Sequence, residues 1–170
     1  AGFAESVAGG SNGCDSSVFV TLGTGVGGGI VLNGRPYSGA HGIGSEIGHT
    51  IIVADGEPCN CGSHGCAERY CSATAIIRMA KKAVKDAPDS LIMKRAAGDP
   101  DRISAKLVID AAKEGDPVAA KVFADYTKYL SITIANLIQC IDPEMIVLGG
   151  GVSHAGDFLL DAVRKQVPTY

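Results

Sequence analysis

The chain lacks the features that would place it across a membrane or on a nucleic acid. Its most apolar stretch, residues 129–141, spans only 13 residues and includes Ser131, Thr133, Asn136 and Gln139, whereas a membrane-spanning helix needs about 20 apolar residues. The stretch therefore predicts a core helix. Lys and Arg number 15 against 18 Asp and Glu, a net charge of −3. A chain without excess positive charge is a poor partner for phosphate backbones or anionic membranes, so we expect neither a nucleic acid nor a membrane as a partner.

A starting Met, a secretory signal and an obvious disulfide framework are also missing. The first ten residues have neither a basic start nor a long apolar run, and residues 1–8 have the pattern of a helix end closed by two glycines. A chain that opens inside a helix is expected to be part of a longer protein. Cys14, Cys71 and Cys140 have no evident partner, and free thiols fit a reducing cytoplasm.

Strand patterns near both ends of the chain flank a block of helical patterns, which predicts an α/β domain. Ser17–Leu22 leads through a glycine-rich segment into residues 29–32, so these two strand patterns predict an antiparallel hairpin with a glycine-rich bend at one end, and Asn33-Gly34 is a strong signal for a further tight turn. Strands are predicted over Ser17–Leu22 and over residues 29–32, 50–53 and 145–148, the last as a central buried strand. Helices are predicted from Ala67 to the break at Pro88, over residues 104–113, from Asp116 to Ile141 and over residues 158–167, with residues 87–103 as a polar connector.

Four side chains that commonly bind metals lie within 18 residues of one another, in the order His-x9-Cys-x-Cys-x4-Cys. They are His49, Cys59, Cys61 and Cys66. Three thiolates and one imidazole are a preferred donor set for tetrahedral Zn²⁺, and the glycines between them allow the turns of a tight chelating loop. Disulfides or unpaired buried thiols are the alternatives, although Cys59 and Cys61 are too close for an easy mutual bridge. The pattern predicts a zinc site.

Two glycine-rich segments are candidates for nucleotide contacts. Residues 23–29 (GTGVGGG) precede a strand pattern and not the helix that a Walker loop or a dinucleotide fingerprint requires. Such a bend can still offer N–H groups and the Thr24 hydroxyl to a phosphate, although a plain flexible hairpin has the same composition. Gly149, Gly150 and Gly151 lie between a strand pattern and a helix pattern. Open α/β sheets bind ligands there, and a tight strand-to-helix turn is the simpler alternative.

Two acids flank the metal ligands. Glu46 precedes His49 by three residues, and Glu68 follows Cys66 by two. Since the metal already has four ligands, both carboxylates remain available to accept hydrogen bonds from the hydroxyls of a polyol or sugar. The plainer alternatives are a helix-start acid for Glu68 and a solvated loop charge for Glu46.

Several segments together resemble one protein family. GAHGIGSEIGH followed by CNCGSHGCAE resembles the signature of the ROK family (repressors, open reading frames and sugar kinases), TLGTGVGGGIVLNG its second phosphate loop, and DPEMIVLGGGVSHAGD its adenosine-side motif. The resemblance covers nearly the whole chain, and GGGVSHAGDFLL is most similar to the bacterial glucokinases of the family. It implies an α/β fold of the actin-like ATPase (ribonuclease H-like) type, with a zinc-binding loop over residues 49–66.

The resemblance also implies roles for individual residues. The sugar would contact Glu46, His49 and Glu68. The phosphates would contact Gly23, Thr24 and Gly25, and the adenosine would lie against Gly149, Gly150 and Gly151. A structural Zn²⁺ would be held by His49, Cys59, Cys61 and Cys66, and the co-substrate would be ATP with Mg²⁺. The implied reaction is phosphorylation of a hexose, glucose to glucose 6-phosphate, by a cytoplasmic enzyme that forms a homodimer at full length.

The chain departs from the family pattern at both ends. The family's amino-terminal DxGGT phosphate loop, its catalytic Asp in an Asn-Asp pair and its last carboxyl-terminal segment have no match. We therefore expect residues 1–170 to form the larger, carboxyl-terminal lobe, with the amino-terminal lobe absent and no catalytic residue in this chain. The alternatives are a sugar-sensing repressor of the same family, a kinase for N-acetylhexosamine, fructose or allose, and a zinc-stabilised interaction module.

Overall fold

Four strands form one sheet, and helices cover the face that carries Val18, Val20 and Leu22. The computed structural model describes residues 9–11 and 13–170, so the helix expected over residues 1–8 lies outside the described residues. The strands are β1 Ser17–Leu22, β2 Val26–Leu32, β3 Arg35–Pro36 and β4 Met145–Gly149. The α-helices are α1 Glu68–Cys71, α2 Ala73–Ala83, α3 Leu91–Arg95, α4 Ala105–Lys113, α5 Pro117–Ile141 and α6 Asp157–Gln166.

The sheet has the strand order β3-β2-β1-β4. The predicted hairpin is confirmed, because β1 pairs antiparallel with β2, from Ser17 opposite Val31 to Leu22 opposite Val26. β2 begins three residues earlier than predicted, so most of the glycine-rich segment is extended strand and only residues 23–25 form the bend. Asn33 and Gly34 have φ angles of 51° and 69°, the positive values that a tight turn between β2 and β3 requires.

The long helix α5 is the centre of the helical layer. It begins at the predicted cap: the Asp116 side chain accepts the Ala119 N–H at 2.7 Å and the Leu91 N–H at 2.8 Å, which also fastens α3 to its start. Tyr126 is fully buried and donates its hydroxyl to the Cys71 carbonyl at 3.0 Å. The apolar stretch of residues 129–141 is the second half of this helix, as predicted. Of the helices that the structure describes, none is long and apolar enough to cross a membrane.

Four predictions about the fold are wrong. The helix predicted from Ala67 to Pro88 is two helices, α1 and α2, because Ser72 is extended, with a ψ of 164°, and caps α2 by accepting the Ala75 N–H. Residues 50–53 are not a strand of the sheet, because they bond to the metal loop: the Ile52 N–H donates to the Gly65 carbonyl at 2.9 Å. The polar connector contains α3 and a 3-10 turn, Pro100–Arg102, since the Ser90 side chain caps the helix and Ile92 is buried. Finally, β4 is an edge strand within the described residues and is only half-buried.

Candidate functional site

The four predicted metal ligands come together in space. The ligand atoms of His49, Cys59, Cys61 and Cys66 all lie within 4.8 Å of one another. Cys59 Sγ is 3.7 Å from His49 Nδ1, and Cys61 Sγ is 3.6 Å from Cys66 Sγ. A tetrahedral site with bonds of about 2.3 Å has edges of about 3.8 Å, so the cluster fits a zinc ion. All six cysteines are free of disulfides, which excludes the disulfide alternative for this structure.

The loop that carries the thiols has a backbone shaped for chelation. Gly65 has a φ of +76°, and a Cβ at this position would lie 1.7 Å from the Val53 carbonyl oxygen, so only glycine fits. The Cys59 N–H donates to the Ser63 carbonyl at 2.8 Å, which closes a turn that contains the third ligand, Cys61. The Tyr70 hydroxyl accepts the Glu57 N–H at 2.7 Å and thereby ties the loop to helix α1. Tyr70 was not identified from the sequence as a residue that supports the loop. The only signal for this role was its position shortly after the last cysteine of the metal motif.

The thiols differ in their environment before any metal binds. Burial, with the Cys61 and Cys59 thiols beside it, raises the pKa of the Cys66 thiol to about 12. The pKa of the exposed Cys61 is lowered by a hydrogen bond from the backbone at Ser63. Because zinc binds thiolates, metal binding must release protons from this cluster. We therefore expect metal affinity to weaken as the pH falls.

His49 faces the thiols with one ring nitrogen and the Glu46 carboxylate with the other. It ends the 3-10 helix Ile47–His49, which lies directly on β2: a Cβ on Gly48 would lie 2.1 Å from the Val26 carbonyl oxygen. With Nδ1 facing Cys59, His49 Nε2 lies 4.0 Å from a Glu46 carboxylate oxygen. The two side chains are 37% and 66% exposed, so both can reach a polar ligand that approaches from solvent.

Glu68 connects the metal loop to the glycine-rich bend. It is the first residue of α1, as the helix-start alternative requires, but its carboxylate also accepts the Val26 N–H at 3.0 Å. A Cβ on Gly25 would come within 2.3 Å of the same oxygen atom, so the acid and the bend are in contact only because residue 25 is glycine. The structure thus places the bend, Glu68 and the metal loop side by side.

The two glycine clusters also lie next to each other. β1 and β4 are parallel, with Thr21 opposite Gly149, so their carboxyl ends meet at one edge of the sheet. A Cβ on Gly149 would lie 2.7 Å from the Phe19 ring, and one on Gly150 would lie 2.6 Å from the Leu22 carbonyl oxygen. Internal packing therefore explains these two glycines. Of these three glycines, only Gly151 has no atom within 4 Å of an added Cβ, and it begins the 3-10 helix Gly151–Ala155 that precedes α6.

The close contact of Gly150 with the Leu22 backbone predicts the effect of a substitution on stability. Gly150→Ala introduces a side chain at a φ of +84° against the backbone of Leu22, and such strain costs about 1–3 kcal/mol. We expect chemical denaturation to show a loss of this size. Gly151→Ala is the matched control, since no atom lies within 4 Å of the added Cβ. Equal stability of the two variants would contradict the packing described.

The remaining candidate side chains are not members of the metal-ligand cluster. His41 and His64 are exposed, as expected of ordinary surface histidines. Cys71 is fully buried, and burial raises the pKa of its thiol to about 12, which makes it unreactive. Sequence reasoning missed Thr74, whose hydroxyl donates to the Thr24 carbonyl at 2.8 Å. Its position just after the N-cap Ser72 was the only signal.

Comparison with known proteins gives the family. The model of the ROK family matches residues 1–170. The chain belongs to the ROK family. It is 40% identical over 162 residues to a glucokinase of Thermotoga maritima, covering 95% of this chain and 51% of that protein. It is 32% identical over 166 residues to an N-acetylglucosamine repressor of Escherichia coli, covering 98% of this chain and 39% of the repressor.

Solved structures give the same result for the fold. A ROK family glucokinase from Streptomyces griseus, in complex with glucose and AMPPNP, superposes with a TM-score of 0.90 at 37% identity. The match covers 96% of this chain and 53% of that one. The α/β fold is therefore that of an actin-like ATPase of the ROK type, as predicted, and it carries the cysteine and histidine cluster. The chain spans about half the length of the glucokinases it matches.

Proposed function

We propose that the intact protein containing this chain is an ATP-dependent hexose kinase that converts glucose to glucose 6-phosphate. The observation that carries the proposal is the meeting of three elements at one end of the sheet: the metal loop with its two acids, the bend of residues 23–25 and the Gly149–Gly151 turn. The similarity to glucokinases along almost the whole chain supports the same reaction.

In this proposal the metal is a structural Zn²⁺ held by His49, Cys59, Cys61 and Cys66. When bound, it supplies rigid cross-links within the loop and leaves no open coordination position for chemistry. Its ligand His49 then presents Nε2, beside Glu46, to the sugar. A hydrogen-bonding neighbour commonly fixes the ring orientation of a histidine that binds a metal. Here that neighbour is Glu46, and a sugar hydroxyl would bond to both side chains.

The acceptor sugar is assigned to Glu46, His49 and Glu68, because carboxylates accept hydrogen bonds from hydroxyl groups and an imidazole nitrogen can donate or accept one. The bend of Gly23, Thr24 and Gly25 is assigned to the phosphates of ATP, which brings Mg²⁺ with it. Gly149, Gly150 and Gly151 are assigned to the adenosine side. Of these three, Gly151 has the space for direct contact with the adenosine. Gly149 and Gly150 pack against Phe19 and Leu22 and so fix the path of the backbone that leads to Gly151.

The architecture of the intact protein is part of the proposal. Residues 1–170 form its larger, carboxyl-terminal lobe, and the carboxylate that accepts the proton of the reacting hydroxyl belongs to the rest of the protein. Transfer needs that group together with positioning and charge stabilisation by both lobes. We further propose a homodimer in a reducing cytoplasm, where free thiols and a zinc–thiolate centre are stable.

A sugar-sensing repressor is the second candidate function, because an N-acetylglucosamine repressor of the family aligns with the same residues. Such a sensor needs the sugar side chains and the metal loop, but it has no use for a phosphate site. In the bend of residues 23–25, the backbone N–H groups of Thr24 and Gly25 have no acceptor among the described residues. Free N–H groups suit a phosphate, so this observation favours the kinase over the repressor.

The proposed reaction is tested with the intact protein, ATP and Mg²⁺ in an assay that couples ADP formation to NADH oxidation. Glucose, N-acetylglucosamine, N-acetylmannosamine, fructose and allose are offered in turn. We expect turnover with glucose at the highest kcat/KM. No ADP formation with any sugar, together with sugar-dependent release of a DNA fragment, would replace the kinase by the repressor.

The isolated 170-residue chain is expected to fold and to show no turnover in the same assay. It has a core of its own, built from β1, α2 and α5, but it supplies only one side of a two-lobed cleft. Circular dichroism and a cooperative melting curve check that the chain is folded. Robust turnover by the folded chain would mean that the proton acceptor is one of its own acids, with Glu46 and Glu68 as the first candidates.

A further inference from the structure

The bend of residues 23–25 is held from behind by the junction of α1 and α2. The Ala73 N–H donates to the Gly23 carbonyl at 2.7 Å. The Thr74 hydroxyl donates to the Thr24 carbonyl at 2.8 Å. Ala73 and Thr74 are the first two residues of α2, where the N–H groups and short polar side chains of a helix start are free to bond outside the helix. The first turn of α2 therefore binds two successive carbonyls of the bend.

Fixing these carbonyls also fixes the direction of two N–H groups. A trans peptide unit is planar, and its C=O and N–H bonds point in opposite directions. The Gly23 carbonyl shares its peptide unit with the Thr24 N–H, and the Thr24 carbonyl shares its unit with the Gly25 N–H. Since both carbonyls point toward α2, both N–H groups point away from it.

The hydrogen bonds around the bend leave these two donors unused. The Gly23 N–H donates to the Gly25 carbonyl at 3.0 Å, and the Val26 N–H donates to Glu68 at 3.0 Å. Across residues 9–11 and 13–170, no group accepts a hydrogen bond from the N–H of Thr24 or Gly25. Two successive N–H groups that point away from α2 and have no acceptor among the described residues can together bind an anion.

We propose that Thr74 is a positioning residue for the phosphate group of the nucleotide. It does not touch the phosphate; its hydroxyl holds the peptide unit that presents the Gly25 N–H. This inference rests on the proposed function and extends it to a residue outside the glycine-rich segment. Of the two bonds from α2, the one from Ala73 is a backbone contact, so Thr74 is the one whose contribution a side-chain substitution can remove.

The test uses Thr74→Val in the intact protein, because valine keeps the shape of threonine and lacks the hydroxyl. Without that hydrogen bond the peptide unit can rotate, and the Gly25 N–H loses its fixed direction. We expect the KM for ATP and the calorimetric Kd for the Mg²⁺ complex of AMPPNP to rise about two- to tenfold, the effect of one neutral hydrogen bond. The KM for glucose and the melting temperature should stay unchanged. Thr74→Ser, which restores a hydroxyl, should restore nucleotide affinity.

Thr169→Val is the matched control, because the Thr169 hydroxyl is also exposed and also donates to a backbone carbonyl, that of Gln166, at 2.6 Å. Thr169→Val should leave the affinity for the nucleotide and the affinity for glucose unchanged. If the wild type is active and Thr74→Val binds the nucleotide equally tightly, this inference is wrong while the proposed function stands. A parallel loss of sugar affinity and thermal stability, without rescue by serine, would also overturn it, because it would show a merely structural role. A wild type that binds no nucleotide would overturn the inference together with the proposed function.

Discussion

Replacing Cys61 with serine is expected to release the bound metal and to unfold the metal loop. Cys61 is the exposed member of the cluster, so the substitution removes a thiolate ligand with little disturbance of core packing. Loss of a direct ligand should weaken zinc binding by more than about a hundredfold, the upper range for groups that only support a ligand. Because metal binding is coupled to folding, we also expect a lower melting temperature and rapid hydrogen exchange in residues 55–66.

Cys140→Ser is the matched control for this variant. Cys140 is also an exposed free thiol, but it lies on α5 outside the cluster. It should keep full metal content and an unchanged melting temperature. If Cys61→Ser retained zinc with wild-type affinity, or if both variants lost stability equally, the assignment of Cys61 as a ligand would be wrong.

Removing the charge of Glu68 is expected to weaken sugar binding in the intact enzyme. Glu68→Gln should raise the KM for glucose about ten- to a hundredfold, since losing a charge-assisted hydrogen bond costs about 1.5–3 kcal/mol. Zinc content should be unaffected. Glutamine still offers an oxygen atom to the Val26 N–H, so the bend and the KM for ATP should change little. Glu68→Ala removes that acceptor as well, and we expect it to raise both KM values.

Glu144 provides the control for the Glu68 variants. Its carboxylate accepts the Ser16 N–H at 2.9 Å, so it makes the same kind of bond to a backbone N–H as Glu68 does. Glu144 precedes the first residue of β4, however, and therefore lies at the opposite end of the sheet from the proposed site. Glu144→Gln and Glu144→Ala should leave both KM values unchanged. Zinc loss in Glu68→Gln, or a KM for glucose equal to that of the wild type, would count against Glu68 as a sugar ligand.

The local patterns of the sequence predicted the hairpin, the long helix and the metal cluster. Each of these depends on residues close together in the chain: the glycine-rich bend between β1 and β2, the Asp116 cap with Pro117, and ligands within one loop. The apolar run of residues 145–148 predicted a strand correctly but placed it in the centre of the sheet. Within the described residues it lies at the edge, because an apolar run specifies burial and not which neighbour provides it.

Contacts between distant segments could not be predicted. The strand expected at residues 50–53 bonds to the metal loop, since the loop offers the Gly65 carbonyl at close range. The glycine clusters were expected to serve a ligand, whereas Gly149 and Gly150 are also required by Phe19 and Leu22 of a neighbouring strand. The link from Thr74 to the bend joins residues 50 positions apart, and no local pattern specifies such a pair.

The metal centre is the feature on which the other assignments depend, because it holds His49 and the loop that leads to Glu68. Elemental analysis of the intact protein, purified under reducing conditions without added metal, tests it most directly. We predict about one equivalent of zinc per chain, the content of a closed four-ligand site. Metal-free protein with a normal melting temperature, or a Cys59–Cys66 disulfide in the reduced preparation, would contradict the account.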